Sequence, residues 1–466
     1  MGFYLLVDFG STFTKLTAID LELEDIIATS KAITTVETNI IDGFTVAYEK
    51  LMTSIGKTIT FEKTIACSSA AGGLKMAAIG LVEELTTEAA RRVCLGAGAK
   101  VELVLSHHIN RSEVQAIKDK KIDIILLAGG ANGGNKECVI HNAKILAESD
   151  IIAPIVFAGN KDASDEIEDI LSKTNKTFFM CENVMPKLNQ LNIEDAKNRI
   201  KDIFVKNIIE AKGIKKIEEK IDQVILPTPN AVLMAAELLS KGYNEEKGLG
   251  ELMIADIGGA TTDIYSMSEG LPKQMNAILS GLEEPFAKRT VEGDLGMRYS
   301  ALGVIQAMSD QEISHHKKQG IDILAEATMR NHHIEFIPQS PHDENIETII
   351  ASKCIDAAIS RHVGTLKSVY TPMGMMYHQV GKDLTETKYF IGTGGVVIHS
   401  QTPIEMMKDA LYSEQKPTEL RPKHPTFMLD KDYILSAMGL LSLEYPEIAL
   451  RIMKKRIIIL GDKHAA

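Results

Sequence analysis

Twice in this chain an apolar run ends on an aspartate, turns over small and hydroxylated residues, and runs back as a second apolar stretch. The first copy is Leu5-Leu6-Val7-Asp8-Phe9-Gly10-Ser11-Thr12-Phe13-Thr14-Lys15, continuing to Asp20. The second is Leu252-Met253-Ile254-Ala255-Asp256-Ile257-Gly258-Gly259-Ala260-Thr261-Thr262-Asp263-Ile264-Tyr265. Each reads as strand, tight turn, strand. Such a turn aims backbone N–H groups at one spot, a concavity of the kind that holds phosphates. Gly10 is free to take backbone angles that a side chain forbids. A carboxylate placed like Asp8 holds Mg²⁺ directly or through its waters, and Lys15 on the returning strand neutralises phosphate oxygens. One glycine turn is weak evidence. Two of one design, one per half, predict a nucleotide clamped between two related lobes.

The bulk properties fit that picture. A length of 466 residues gives a prior of about three domains of roughly 150 residues. Hydrophobic residues at 45% and charged residues at 24% suit well-filled cores in a soluble chain. A net charge of −12 argues against nucleic acid or an anionic membrane as partner, since both reward basic patches. Cys67, Cys94, Cys138, Cys181 and Cys354 are far apart with no C-x-x-C pair, which points away from zinc and redox motifs and toward a reducing cytoplasm. The first apolar run has no basic segment before it and is broken early by Asp8, unlike a signal peptide. Gly2 is followed by Leu6 where a myristoylation motif needs Ser or Thr. No apolar stretch nears the roughly 20 residues of a membrane span.

In chain order, Ile26–Thr35 reads as a third strand, Gly43–Thr53 as a helix and Lys63–Ser69 as a strand. The following Ala70-Ala71-Gly72-Gly73 reads as a structural turn beside the cleft rather than an anion loop, because no aspartate precedes it. A helix Glu83–Leu95 and a strand Val101–Leu105 close the first lobe. From Ser106 to Asp222 strands Ile122–Leu127, Ile151–Phe157 and Thr177–Met180 alternate with helices Asn135–Glu148 and Ala163–Lys173, the pattern of a parallel sheet. The loop Gly129-Gly130-Ala131-Asn132-Gly133-Gly134-Asn135 opens a helix, which suits anion binding. It lacks the G-x-G-x-x-G spacing, so a close-packed turn or a partner-facing loop is the favoured reading. Lys197–Lys220 reads as a solvated helix. A strand then stops at Pro227, and Pro229 suits the first turn of the next helix. Lys241–Gly250 reads as a linker, Thr290–Tyr299 as a polar loop opening a helix Tyr299–Met308, and Glu347–Val369 as one long helix. Strand Lys388–Ile391 feeds Gly392-Thr393-Gly394-Gly395, and Asp432–Leu443 is a small-residue helix whose Gly439 allows close helix crossing.

Together these elements resemble, in order, the actin, Hsp70 and sugar-kinase superfamily. Asp8 to Lys15 matches the interval of the actin first hairpin, and Asp256 to Asp263 matches the Hsp70 second hairpin except that Ala260 replaces a glycine. The resemblance implies an α/β, two-lobed actin-like (ribonuclease H-like) ATPase fold with an inserted α/β domain: residues 1–105 plus 223–249 as first lobe, 106–222 as insert, 250–466 as second lobe. The motifs Val7–Lys15, Leu127–Asn135, Asp256–Asp263, Val291–Arg298 and Phe390–Gly395 also resemble one narrower family, the glutamate mutase accessory proteins called MutL or GlmL, which are unrelated to the mismatch-repair protein of that name. The likeness covers essentially the whole chain. It implies an ATP-dependent, chaperone-like reactivating factor that acts on an adenosylcobalamin-dependent mutase and drives out damaged cobalamin by lobe motion. The chain lacks the Asp-x-His-x-x-Gly motif by which mutases bind cobalamin, so it serves such an enzyme rather than being one.

The resemblance implies ATP and Mg²⁺ as cofactors. Asp8 is assigned to Mg²⁺ and Asp256 to Mg²⁺ or the attacking water, with the roles open to exchange. Gly10, Ser11, Thr12, Lys15, Gly258, Gly259, Ala260, Thr261 and Thr262 are expected around the phosphates, and Gly392, Thr393, Gly394 and Gly395 under the adenosine. Phosphoryl transfer needs mostly positioning and charge neutralisation. His107/His108, His315/His316 and His332/His333 read as surface or loop residues, and Met373, Met375 and Met376 as loop packing. Three alternatives remain: a small-molecule kinase of the same fold, with Asp294 the only candidate catalytic carboxylate, a reactivator of a related aminomutase, and a non-enzymatic actin-like scaffold. Which mutase is served, whether ATP binding or hydrolysis drives release, and whether the chain is a monomer or a homodimer stay open.

Overall fold

The apolar run before Asp8 forms the strand Phe3–Phe9, buried at every residue after the first. It is the central strand of a five-stranded sheet with Phe13–Asp20, Asp25–Ile33, Phe61–Ser68 and Gln223–Pro227, in the order fifth-fourth-first-second-third. The short connections after Phe9 and Asp20 leave only antiparallel pairing for the first three strands, since a parallel pair needs a long crossover. The fourth strand runs parallel to the first, and the fifth parallel to the fourth. This computed structural model describes residues 2–461 except Ser11, 35–39, 70–73, 212–221 and Met373. The predicted turn Ala70–Gly73, the last part of the lysine-rich helix and Met373 therefore lie outside the described residues.

The chain divides into two compact units, Met1–Ile19 with Ile27–Asn230, and Asp20–Ile26 with Ala231–Ala466. The first unit holds a second sheet of five parallel strands, Lys75–Gly80, Lys100–Ser106, Ile124–Leu127, Ile155–Phe157 and Phe178–Met180, in the order second-first-third-fourth-fifth. Its middle strands are buried on both faces, as a parallel sheet covered by crossover helices requires. Helices Glu88–Gly96, Arg111–Asp119, Glu137–Glu148 and Ser164–Ser172 make those crossovers. This sheet corrects the boundary expected at residue 106. Lys100–Ser106 is its edge and Lys75–Gly80 lies between that edge and the central strand Ile124–Leu127, so the sheet begins some thirty residues earlier than the alternation of strand and helix suggested.

In the second unit Leu252–Ile257, Thr262–Met267, Ala287–Glu292, Tyr389–Thr393 and Thr426–Leu429 repeat the first sheet's order, third-second-first-fourth-fifth, with Ile458–Ile459 added at the far edge. The first three strands are antiparallel and the fourth and fifth join in parallel. A five-stranded mixed sheet in one order, built twice, is the duplicated ribonuclease H-like architecture of the actin-like fold, here with a parallel α/β sheet inserted between strands four and five of the first copy. Among the described residues no helix is long and apolar enough to cross a membrane.

Two local expectations for the second unit are corrected. The long helix runs Pro341–His362, started by a reciprocal capping box between Ser340 and Asp343. Its apolar face, including Ile346, Ile350, Cys354 and Ile355, lies in the unit's core. Beyond Gly364 the chain becomes the strand Thr365–Thr371, which pairs antiparallel with Gly374–Val380 and through it with Ala277–Leu279. The presumed linker 241–250 contains a small hairpin, Gly242–Tyr243 with Glu246–Lys247. The small-residue helix is Leu435–Leu441, buried at every position. A Cβ at Gly439 would stand 1.8 Å from the Ala231 carbonyl oxygen. Gly439→Ala is therefore expected to destabilise the unit by about 1–3 kcal/mol, measured as a lower urea midpoint at unchanged slope.

Candidate functional site

In the first unit Asp8 sits one residue before the end of its strand and is 5% exposed. Its register partner on the neighbouring parallel strand is Cys67, and the next strand over ends at Pro227, paired with Ser68. Three parallel strands thus bring Asp8, Cys67 and Thr228 together at their carboxyl ends, where open α/β sheets place ligands. The Thr228 hydroxyl donates to Asp8 Oδ1 at 2.6 Å, and the Cys67 thiol approaches the same oxygen at 3.6 Å. Burial, and then the neighbouring Asp8 charge, push the Cys67 thiol far above its ordinary pKa. It therefore stays protonated and donates.

The turn after Asp8 is closed by a hydrogen bond from Gly10 N to Phe13 O at 3.1 Å. A Cβ on Gly10 would lie 2.6 Å from that oxygen, so the turn needs glycine for close approach. Thr12 accepts from Thr34 N through its carbonyl. Lys15 is half-buried on the returning strand, near enough to Cys67 for its charge to oppose the rise in the thiol pKa. Ser11 lies outside the described residues.

The second unit repeats this design. Asp256 stands two residues before Gly258, as Asp8 does before Gly10, and Gly258 N donates to Thr261 O at 2.9 Å to close the turn. The carbonyls of Gly258 and Gly259 accept from Met297 N and Arg298 N at 3.0 and 2.8 Å, and that of Ala260 accepts from the Ser300 hydroxyl at 2.6 Å. A trans peptide points its C=O and N–H in opposite directions. With three carbonyls turned toward residues 297–300, the N–H groups of Gly259, Ala260 and Thr261 face the other way, an arrangement with the chemistry to receive an anion. The polar loop around Asp294 is thus a brace for the Gly258–Thr261 turn. Gly296 must be glycine for the two to meet, since a Cβ there would stand 2.6 Å from the Ala260 carbonyl carbon.

Two hydroxyls listed among the ligand-facing residues by sequence are engaged inward. Thr262 is fully buried and donates to Leu295 O at 3.0 Å. Thr393 is 2% exposed and donates to Asp430 Oδ2 at 3.2 Å. Both occupy strand positions, where side chains alternate between faces. Asp263 is likewise bound in a buried pair with Arg289, Nη2 to Oδ1 at 2.6 Å. Thr261 Oγ1 donates to Asp263 Oδ2 at 3.1 Å.

The glycine turn after Tyr389–Thr393 lies beside the Gly258–Thr261 turn, because Thr393 pairs in register with Asp256. Gly394 has φ of +94°, and a Cβ there would sit 2.3 Å from Ile257 O. Gly392 fits against Met407, and Gly395 opens to free space. Residues 256–261 and 392–395 are therefore one surface of the second unit.

Residues beyond the sequence-based candidates complete it. The Tyr433 hydroxyl donates to both oxygens of Asp256 at 3.2–3.3 Å, from a backbone at φ +54° that a bulky side chain rarely adopts. Asp430 accepts from Ile434 N, Leu435 N and Thr393, and complete burial raises its pKa from 3.8 to about 6. Between those values the folded state keeps a proton that the unfolded chain has lost, so this group's contribution to stability falls as pH rises through the window. Asp430→Asn removes the titration. The melting temperature of the variant relative to the parent is expected to rise between pH 4 and 6, as followed by thermal melts.

The remaining candidates are placed elsewhere. Asp294 is gripped by Arg361, whose two terminal nitrogens reach its two oxygens at 2.7 and 2.8 Å. In the Gly129–Asn135 loop Gly133 N donates to Asp162 at 2.8 Å, and Asn160 and Asn183 clamp the loop carbonyls. A carboxylate of the chain itself thus takes an amide a ligand would need. His108 packs on His141, and His315 on His316. Among the described residues no group of three or more His, Cys, Asp or Glu could hold a metal by itself.

Doubled strand order and doubled aspartate-tipped turns define a protein of the actin-like class. Within it the chain belongs to the MutL protein family, whose model matches residues 4–457. Protein MutL of Clostridium tetanomorphum is 52% identical over 460 residues, 98% of this chain and 100% of that protein. Among solved structures the chain is similar to xylulose kinase from Lactobacillus acidophilus, with TM-score 0.37, 10% identity, and coverage of 98% of this chain and 93% of that one. It is also similar to gluconate kinase from the same organism, with TM-score 0.35, 10% identity, and coverage of 98% and 92%. The fold assignment rests on the two strand orders.

Proposed function

We propose that this chain is an ATP-dependent, chaperone-like reactivating factor for an adenosylcobalamin-dependent carbon-skeleton mutase of the glutamate mutase type. The observation that carries the nucleotide reading is the pair of turns, each closed by the same backbone hydrogen bond and each preceded by an aspartate at the same offset. Membership of the MutL family and the whole-chain motif likeness to glutamate mutase accessory proteins support the choice of partner.

In this reading the turn carrying Gly10, Ser11, Thr12 and Lys15 is suited to phosphate, and so are the amides of Gly259, Ala260 and Thr261. Gly394 and Gly395 form the backbone platform for adenosine. Asp8 and Asp256 supply carboxylates for Mg²⁺, whose part when bound is to neutralise phosphate charge. Tyr433 and Thr228 hold those carboxylates in place. Thr262, Thr393 and Asp263 support the turn from behind. Nucleotide can drive a conformational change only by its differential affinity for two states.

The kinase reading is weaker because Asp294, its only catalytic candidate, is neutralised by a two-pronged contact with Arg361. The direct test incubates the protein with hydroxocobalamin-blocked glutamate mutase, ATP, Mg²⁺ and free adenosylcobalamin. Recovered mutase activity that depends on ATP is expected. No recovery with any adenosylcobalamin mutase, together with phosphate transfer to a small alcohol or acid, would replace this reading with the kinase one.

A further inference from the structure

We propose that the three-stranded sheet of Ala277–Leu279, Thr365–Thr371 and Gly374–Val380 in the second unit is a flap rooted at Lys382, and that its opening takes up one proton at that side chain. The chain crosses into and out of this sheet at four places, and a glycine stands at each: Gly270, Gly281, Gly364 and Gly381. Gly270 and Gly381 hold φ of +65° and +81°, angles that residues with side chains rarely adopt. Three of the four crossings meet around Lys382. A Cβ on Gly270 would stand 2.5 Å from Lys382 Cγ, and one on Gly364 would stand 2.6 Å from Lys382 O. Gly364 N donates to Lys382 O at 2.7 Å, and Asp383 N to Gly270 O at 2.9 Å. The buried Gln379 side chain donates to the carbonyls of Gly270 and Gly381 at 2.7 and 2.8 Å. Hinges are built from a few such residues at element ends.

Lys382 is a costly choice for this root. It is 0% exposed, and its Nζ donates only to carbonyls, Phe286 O at 2.7 Å and Ser266 O at 3.4 Å. Among the described residues no carboxylate is bonded to it. Burial, and then the charge of Lys288, bring its pKa from 10.5 down to about 7, against the pull of Glu284, Glu269 and Glu251. Lys288 is itself held by Glu284 at 3.0 Å. His362 is fully buried between the hydroxyls of Thr290 and Ser266, each at 2.8 Å. Burial and the charges of Lys288 and Lys382 keep that imidazole neutral, its pKa well below 6.5. The Asp383 carboxylate accepts from the amides of Thr385 and Lys273. The closed flap therefore holds Lys382 uncharged between about pH 7 and 10.5. Opening admits water to the amine and restores its ordinary affinity for a proton. In that window only the open form binds the proton, so opening is easiest at and below about pH 7 and becomes harder as pH rises.

The test follows hydrogen exchange of the full chain from about pH 6 to about pH 9, corrected for the chemical exchange rate of each amide. Protection across 277–279 and 365–380 is expected to rise about tenfold per pH unit above about pH 7 and to level off below it. The core strand Leu252–Ile257 is expected to stay protected at every pH. Lys382→Met keeps an unbranched chain and removes the charge, and is expected to make protection of the flap independent of pH over this range. Parent protection that does not change with pH overturns the proposal, and so does the parent's pH dependence persisting in Lys382→Met. Loss of protection in Leu252–Ile257 together with the flap marks opening of the whole unit and overturns it as well. The parent series decides the matter by itself where the variant does not fold.

Discussion

Asparagine in place of Asp8 is expected to lower ATP hydrolysis by about 100- to 1,000-fold, the usual consequence of removing one preorganised charge from a phosphoryl or acyl transfer site. The substitution keeps an oxygen that can accept from Thr228 and changes no volume in a position that is 5% exposed. Folding is therefore preserved and the loss is chemical. Asp256→Asn tests the opposite unit. There Tyr433 donates to both oxygens, so the amide retains one of those contacts and loses the charge. Whichever variant loses Mg²⁺ affinity is the direct metal ligand, and the one that loses turnover at saturating Mg²⁺ orients the water. Parent-like hydrolysis in both would remove the twin turns from catalysis.

The largest stability effect is expected at Glu347, which is 2% exposed on the long helix of the second unit. Its oxygens hold Arg330, itself fully buried, at 2.8 Å and Arg298 at 3.1 Å. Truncation to alanine removes the carboxylate that Arg298 and Arg330 share and leaves Arg330 only Glu326 at 2.7 Å, and breaking a buried pair in this way costs about 3–5 kcal/mol. The damage also reaches the site. Arg298 N donates to Gly259 O, so loosening Arg298 frees the brace on the Gly258–Thr261 turn, which the proposed function assigns to phosphate. Glu347→Ala is expected to show both a large drop in urea midpoint and a weakened affinity for nucleotide. A stability loss with unchanged nucleotide affinity would confine Glu347 to packing.

The twin turns were legible in sequence because their chemistry is local. Asp8 and Asp256 each end an apolar run, and glycine follows two residues later. The strand order of each copy follows from that start, since a tight turn forces antiparallel pairing and the later strands arrive by crossover. The partition of strands between sheets was not local. Nothing in Lys75–Gly80 or Lys100–Ser106 distinguishes a strand of the first sheet from one of the insert, because both sheets bury apolar strands. Overextension of the long helix had a readable remedy: Ser340 and Asp343 mark its start, and Gly364 its end.

Support residues were the hardest to see. Thr228 reaches Asp8 across most of the first unit's sequence, Asp430 belongs to no motif, and Tyr433 lies in the stretch expected as a small-residue helix but stands in the loop before Leu435–Leu441. Thr262 and Thr393 looked like ligand-facing hydroxyls because sequence gives the residue type without the face. Strand alternation turns both hydroxyls to inward bonds with Leu295 and Asp430.

The splice of the parallel sheet between Ser68 and Gln223 has a consequence during synthesis. The strand Phe61–Ser68 leaves the ribosome with one side unpaired, and its neighbour Gln223–Pro227 is not made until the whole insert has been translated. At ordinary elongation rates that wait is on the order of ten seconds, long enough for the open edge to attract another nascent chain. Early completion of the insert, which needs nothing from later residues for its own five strands, would shield that edge by bulk until its true neighbour arrives.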